Sequence, residues 1–140
     1  MTDSEAHVFR TRVYWEDTDG AGIVYYANYF KFAERARTEM LRAIGIEQRR
    51  MLDETGIAFA VKRCACEYLR PARLDDTLEI VSCVTQARGA SLDMHQQVRR
   101  DDAALAELDV TIACIGRDGR PARLPPGVRH ALAAFNSKTT

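Results

Sequence analysis

Lysine is scarce in this 140-residue chain, where 17 of the 20 basic residues are arginine. With 20 acidic residues against them the formal charge is zero, which excludes a general nucleic-acid binder, whose affinity rests on a basic surface. Most of the arginines are read as a compositional replacement of lysine, although the guanidinium fork suits phosphate wherever one stands in a binding turn. No apolar run approaches the roughly 20 residues that cross a bilayer. The opening M-T-D-S-E-A-H-V lacks the basic-then-apolar order of a secretory signal, so a cytoplasmic location without a membrane span is expected. Histidine is limited to His7, His95 and His130 in separate segments, and no Ser/His/Asp set can be assembled. There is no C-x-x-C pair, and Cys64, Cys66, Cys83 and Cys114 fall in apolar, strand-like runs. They read as small buried hydrophobes, and neither a metal nor a cofactor is assigned. Repeats, low-complexity tracts and linkers are also missing. The composition, 46% hydrophobic and 29% charged, is expected to form one domain over residues 1–140 around a single core.

What is present alternates between strand and helix signals. His7 to Trp15 reads as a first strand, rich in Val, Phe, Tyr and Thr. A helical pattern runs from about Ile23 to Ile44, with Tyr26, Phe30, Ala33, Met40, Leu41 and Ile44 on its apolar face and Gly45 as its stop. A short helix is expected near Glu47 to Glu54. The runs Ile57 to Leu69, Thr77 to Ala87, Ser91 to Arg100 and Ala106 to Gly116 then read as strands of an antiparallel meander. A terminal helix is expected over Pro125 to Phe135. One strand, one long helix and four strands predict an α+β fold whose curled antiparallel sheet wraps the helix. Its open edges predict pairing between copies, with a homodimer as the minimum assembly.

The segment from Val13 to Tyr29, V-Y-W-E-D-T-D-G-A-G-I-V-Y-Y-A-N-Y, joins a strand end, an acidic glycine turn and a helix start. Backbone N–H groups at a helix start lack intrahelical acceptors and receive anions. A carboxylate at Asp19 facing such donors is suited to acyl transfer. The alternative is that Asp19 merely caps the helix and the glycines merely make the turn.

Together with Glu34-Arg35-Ala36-Arg37-Thr38-Glu39-Met40-Leu41, Glu67-Tyr68, Pro71-Ala72-Arg73-Leu74-Asp75-Asp76 and Arg88-Gly89-Ala90-Ser91-Leu92, this segment resembles the hotdog-fold thioesterases of the 4-hydroxybenzoyl-CoA thioesterase family. Within it the chain is most similar to the YbgC branch, the Tol-Pal-associated acyl-CoA thioesterases of the bacterial cytoplasm. The resemblance covers nearly the full length. It implies a hotdog fold, an acyl-CoA substrate, a homotetramer built from dimers, Asp19 as the catalytic carboxylate and the backbone N–H of Tyr26 as the donor that polarises the thioester carbonyl. Gly22 and Tyr25 are then expected to approach the substrate, and Arg88, Arg120 and Arg123 to clamp the CoA phosphates. Tyr25, Tyr29 and Phe30 line an acyl pocket or belong to the core, and Glu34 and Glu39 receive no catalytic role. The branch commonly carries Tyr-His-Ala where this chain has Tyr25-Tyr26-Ala27, which leaves the acyl preference open.

The chemistry needs little acid assistance, because a thiolate is a good leaving group. Asp19 is read either as a nucleophile, forming an acyl-aspartyl anhydride, or as a general base that directs water. The expected activity is hydrolysis of short-chain or small aromatic acyl-CoA thioesters. The alternative is a non-catalytic module that binds acyl-CoA or acyl carrier protein and associates with cell-envelope machinery.

Overall fold

A computed structural model describes residues 6–136. Its elements are β1 (His7–Arg12), α1 (Asn28–Ala43), α2 (Gln48–Thr55), β2 (Ala58–Tyr68), β3 (Thr77–Ala87), β4 (Ser91–Arg100), β5 (Ala103–Ile115) and α3 (Pro126–Leu132), with short 3₁₀ turns at Trp15–Asp17 and Ala133–Phe135. The five strands form one antiparallel sheet in the order β1-β3-β4-β5-β2.

That order corrects the expected meander. Strands β3, β4 and β5 are joined by hairpins, but β2 lies on the far edge beside β5. Eight residues, Leu69 to Asp76, separate β2 from β3. They are too many for a tight hairpin and include Pro71, which cannot donate to a ladder. The segment instead crosses the end of the sheet, where its backbone meets the acidic loop. Register shifts in β2 between Val61 and Arg63 and in β3 between Val84 and Gln86 bend the strands around α1.

Helix α1 lies against the concave face. Its sequence is rich in good helix formers, and Tyr29, Phe32, Ala33, Ala36, Met40 and Leu41 recur at three- and four-residue intervals on its buried side. They meet Leu78, Ile80 and Val84 of β3 and Leu92, Met94 and Val98 of β4 in one core. The helix ends as a Schellman motif: Gly45 (φ +84°) donates to the Arg42 carbonyl at 3.0 Å and Ile46 to that of Leu41 at 2.8 Å. Helix α1 begins five residues later than its sequence predicts, because Ile23 and Val24 are drawn into isolated bridges with Arg73 and Thr18. Tyr26 therefore precedes the helix and is exposed, whereas Tyr29 and Phe32 occupy the core.

Helix α2 closes on Gly56, whose φ of +74° lies in the left-handed region and whose missing Cβ leaves space for the Arg117 side chain. Gly56→Ala is expected to destabilise the fold by about 1–2 kcal/mol. Thermal unfolding measures it, and an unchanged Tm would show that the turn relaxes without cost.

Candidate active site

The acidic loop is built from main-chain bonds. Asp17 folds back so that its carbonyl accepts both the Tyr25 N–H (3.0 Å) and the Asn28 Nδ2 (2.8 Å), while its carboxylate takes the Tyr14 N–H at 2.8 Å. The Asp19 N–H donates to the Ile23 carbonyl at 3.0 Å. The far side of the loop is stitched to the β2–β3 crossing: Val24 donates to the Ala72 carbonyl at 2.8 Å and Leu74 to that of Gly22 at 2.9 Å.

Within this frame Asp19 Oδ1 accepts the Ala21 N–H at 2.7 Å. Its Oδ2 has no partner among the described residues, and the side chain is exposed. Asp19 therefore does not cap α1, whose N-cap is Ala27 with no side-chain hydrogen bond. Gly20 and Gly22 have φ of +88° and +93°, with nothing within 4 Å of the position a Cβ would take. Both glycines are required by backbone conformation, and the space beside them is open.

At the start of α1 the N–H groups of Asn28, Tyr29 and Phe30 are closed onto the carbonyls of Tyr25, Tyr26 and Ala27. The N–H groups without an acceptor among the described residues are those of Ala27, the N-cap of α1, and Tyr26, the residue before it. Beside them lies a hollow of about 270 Å³ walled by Val24, Tyr26, Tyr29, Tyr68, Leu69 and Pro71. The Tyr26 and Tyr68 rings meet edge to face at 6.2 Å. Tyr25 stacks obliquely on Tyr26 at 4.8 Å and is exposed. Tyr29 is only 3% exposed and its hydroxyl accepts the Ala72 N–H at 2.9 Å, so it braces the crossing segment from the core. Phe30 packs against the core. A second cavity, of about 300 Å³, lies between α1 and the start of β2, with Arg37, Leu41, Phe59, Val61 and Met94 in its walls.

The three candidate arginines gather at the other end of the sheet. Arg88 follows β3 and pairs with Asp93 at 2.7 Å, which pulls the Asp93 carboxyl below its ordinary range. Arg123 lies over Gly89, and the Leu124 N–H donates to the Gly89 carbonyl at 2.9 Å. Arg120 sits in the adjoining turn, its N–H on Asp118 Oδ1 at 2.9 Å. Arg129, which the sequence did not single out, donates to the carbonyls of Ala87 and Arg88. An 11-residue β3 separates this cluster from the acidic loop, about 33 Å at the rise of a strand. One chain thus brings Asp19, Gly22, Tyr25 and Tyr26 together and holds Arg88, Arg120 and Arg123 apart from them.

No histidine joins the site. His95 lies on the sheet face opposite α1, between Asp109 (2.9 Å) and Glu107 (3.1 Å). The cysteines are less uniformly internal than expected: Cys114 is buried, whereas Cys64 and Cys66 are half-buried on β2, where burial pushes their thiols up in pKa. Among the described residues no group of three or more His, Cys, Asp or Glu is placed to hold a metal ion, and no helix is long and apolar enough to cross a membrane.

Residues 13–132 match the family model of the thioesterase-like superfamily. The chain is 40% identical over 125 residues to the acyl-CoA thioesterase YbgC of Haemophilus influenzae, covering 89% of this chain and 92% of that protein. It is 47% identical over 105 residues to the acyl-CoA thioester hydrolase YbgC of Escherichia coli O6:H1, covering 74% and 78%. Among solved structures, a probable thioesterase from Bartonella henselae superposes with a TM-score of 0.83 at 35% identity, covering 86% of this chain and all of that one. A 4-hydroxybenzoyl CoA thioesterase complexed with 4-hydroxybenzoyl CoA shares the fold, with a TM-score of 0.85 at 23% identity over 91% of this chain and 98% of that one. The curled sheet around α1 is thus the hotdog fold, and the chain belongs to the thioesterase-like superfamily as an enzyme of its YbgC-like branch.

Proposed function

We propose that the protein hydrolyses short-chain or small aromatic acyl-CoA thioesters to the free acid and CoA, with Asp19 as the reacting carboxylate and the Tyr26 N–H as an oxyanion donor. The observation that carries this reading is the pair of N–H groups at Tyr26 and Ala27, without acceptors among the described residues and joined to the Asp19 loop by the Asp17–Tyr25 bond. A thioester oxygen seated on these donors gains charge as the carbonyl carbon becomes tetrahedral, and fixed dipoles stabilise that charge more than they stabilise the ground state.

Two routes use the same parts. As a general base, Asp19 takes a proton from water as the water oxygen bonds to the carbonyl carbon. Collapse of the oxyanion then breaks the C–S bond, and the departing thiolate recovers the proton. As a nucleophile, an Asp19 oxygen forms the new bond, CoA leaves as thiolate, and water cleaves the resulting anhydride to the acid and the regenerated carboxylate. Gly22 gives the substrate room beside the loop. Tyr25 and the hollow of about 270 Å³ next to Tyr26 favour a small acyl group over a long one.

The phosphate clamp is then supplied by a second copy. Strand β2 is the long edge of the sheet, 11 residues against six in β1, and its outer backbone groups are free to pair. An antiparallel pair of β2 strands sets the Tyr68 end of one protomer beside the Ala58 end of its mate, the end where Arg88, Arg120 and Arg123 lie. A homodimer built this way brings an arginine cluster toward each Asp19 and explains why one chain keeps them apart.

The test is thiol release from butyryl-, benzoyl-, 4-hydroxybenzoyl- and palmitoyl-CoA. Turnover of the first three with palmitoyl-CoA slowest is expected. Binding without turnover on all four, seen as a CoA-dependent rise in Tm, would replace this reading with a non-catalytic acyl-CoA or acyl-carrier-protein binding module.

A further inference from the structure

A peptide unit is planar and trans, so its C=O and N–H point in opposite directions. Whatever holds the carbonyl of one residue therefore aims the N–H of the next. The Tyr25 carbonyl takes the Asn28 N–H at 2.9 Å, which turns the Tyr26 N–H out of the helix. The Tyr26 carbonyl is held less firmly from within the helix, since the Tyr29 N–H reaches it only at 3.4 Å, beyond the usual hydrogen-bond range. Its other donor comes from the sheet: the Tyr68 hydroxyl, whose O···O separation of 3.2 Å is likewise longer than the usual O–H···O bond, so the two donors share the carbonyl.

We infer that Tyr68 is a positioning residue, whose hydroxyl, donated from the end of β2 to the Tyr26 carbonyl, aims the Ala27 N–H alongside that of Tyr26 and makes a two-donor oxyanion site. This rests on the reading that the start of α1 receives the thioester oxygen. Tyr68 is well placed to hold a direction. Its ring lies edge to face with the buried Tyr29 at 5.4 Å and with Tyr26 at 6.2 Å, and its backbone is registered opposite Ala106. Partial burial, reinforced by the Cys66 thiol, pushes its hydroxyl up to about 12 in pKa. The hydroxyl therefore stays protonated, as a donor must, through the neutral range.

The sequence offers no hint of this role, because Tyr68 and Tyr26 are 42 residues apart and a strand-end tyrosine is ordinary. Tyr68→Phe keeps the ring and its packing and removes only the donor. It is expected to lower kcat on benzoyl-CoA about tenfold, a fraction of the 10²–10³ lost with a whole oxyanion donor, with KM within about twofold and an unshifted pH profile. A spectroscopic readout separates positioning from structure. In Asp19→Asn, which holds substrate without turning it over, the ¹³C=O stretch of bound [carbonyl-¹³C]benzoyl-CoA should fall below its value in solution. In Asp19→Asn/Tyr68→Phe it should move back toward that value. A stretch shifted equally in both backgrounds, or a Tyr68→Phe enzyme with wild-type kcat, overturns the inference about Tyr68. A stretch unshifted in Asp19→Asn itself, or full activity in that variant, overturns the underlying reading of the helix start.

Discussion

Asp19→Asn should reduce kcat by about 10²–10⁴-fold, the range over which a positioned acid–base group contributes, while the melting temperature stays within about 2 °C of wild type. The two halves of this expectation come from different oxygens of one side chain. Oδ1 is the structural one: it accepts the Ala21 N–H at 2.7 Å and closes the loop, and the amide oxygen of asparagine does the same. Oδ2 has no partner among the described residues, and replacing it by an NH₂ group removes the oxygen that the proposed mechanism uses as proton acceptor or nucleophile. Kinetics on benzoyl-CoA beside a thermal melt measure both. Activity within threefold of wild type would remove Asp19 from the chemistry. A large fall in Tm would show that the loop needs the charge, and the kinetic loss would then say nothing about mechanism.

Gln96→Leu should cost about 2–4 kcal/mol, because it orphans several buried polar groups at once. Gln96 is fully buried in β4. Its Nε2 donates to the Ala33 carbonyl of α1 and to Ser82 Oγ of β3, each at 2.9 Å, and its Oε1 accepts Arg37 Nη1 at 3.0 Å. Burial already holds the Arg37 pKa below its ordinary value, so the loss of that acceptor weakens a cation short of water. The corresponding fall in Tm is roughly 6–15 °C, measured at one fixed protein concentration so that any self-association contributes equally to every variant. Removing both partners of a buried bond is less harmful than removing one. Ser82→Ala should therefore cost less in the Gln96→Leu background than in wild type. Additive losses would show that the network is not coupled.

The same network marks where sequence reading stops. Strands β3 and β4 were legible to the residue because inward positions alternate strictly, with Leu78, Ile80 and Val84 in one and Leu92, Met94 and Val98 in the other. Ser82 and Gln96 continue the alternation as polar residues, and only the packed structure shows that they face each other beneath α1. Strand β1 stops at Arg12 rather than Trp15 because Trp15 to Asp17 form a 3₁₀ turn. The late start of α1 was missed, although Ile23 and Val24 are β-branched and favour extended pairing. The acidic glycine turn was visible as a motif, but Asp19 as a loop-closing rather than capping residue was not. That distinction depends on which N–H its carboxylate reaches. The position of β2 beside β5 was hidden because alternation reports which face a residue takes and is silent on strand order.

The loop that carries Asp19 is fastened by backbone atoms of Asp17, Gly22, Ile23, Val24, Ala72 and Leu74, and this has a consequence for divergence. Main-chain bonds are indifferent to side-chain identity. Ala21, Tyr25 and Tyr26 can thus be exchanged while the carboxylate keeps its place, and a lineage can try new acyl groups without rebuilding its hydrolytic step. Under the proposed function, a substitution at position 26 then gives the acyl group a new wall on an unaltered frame.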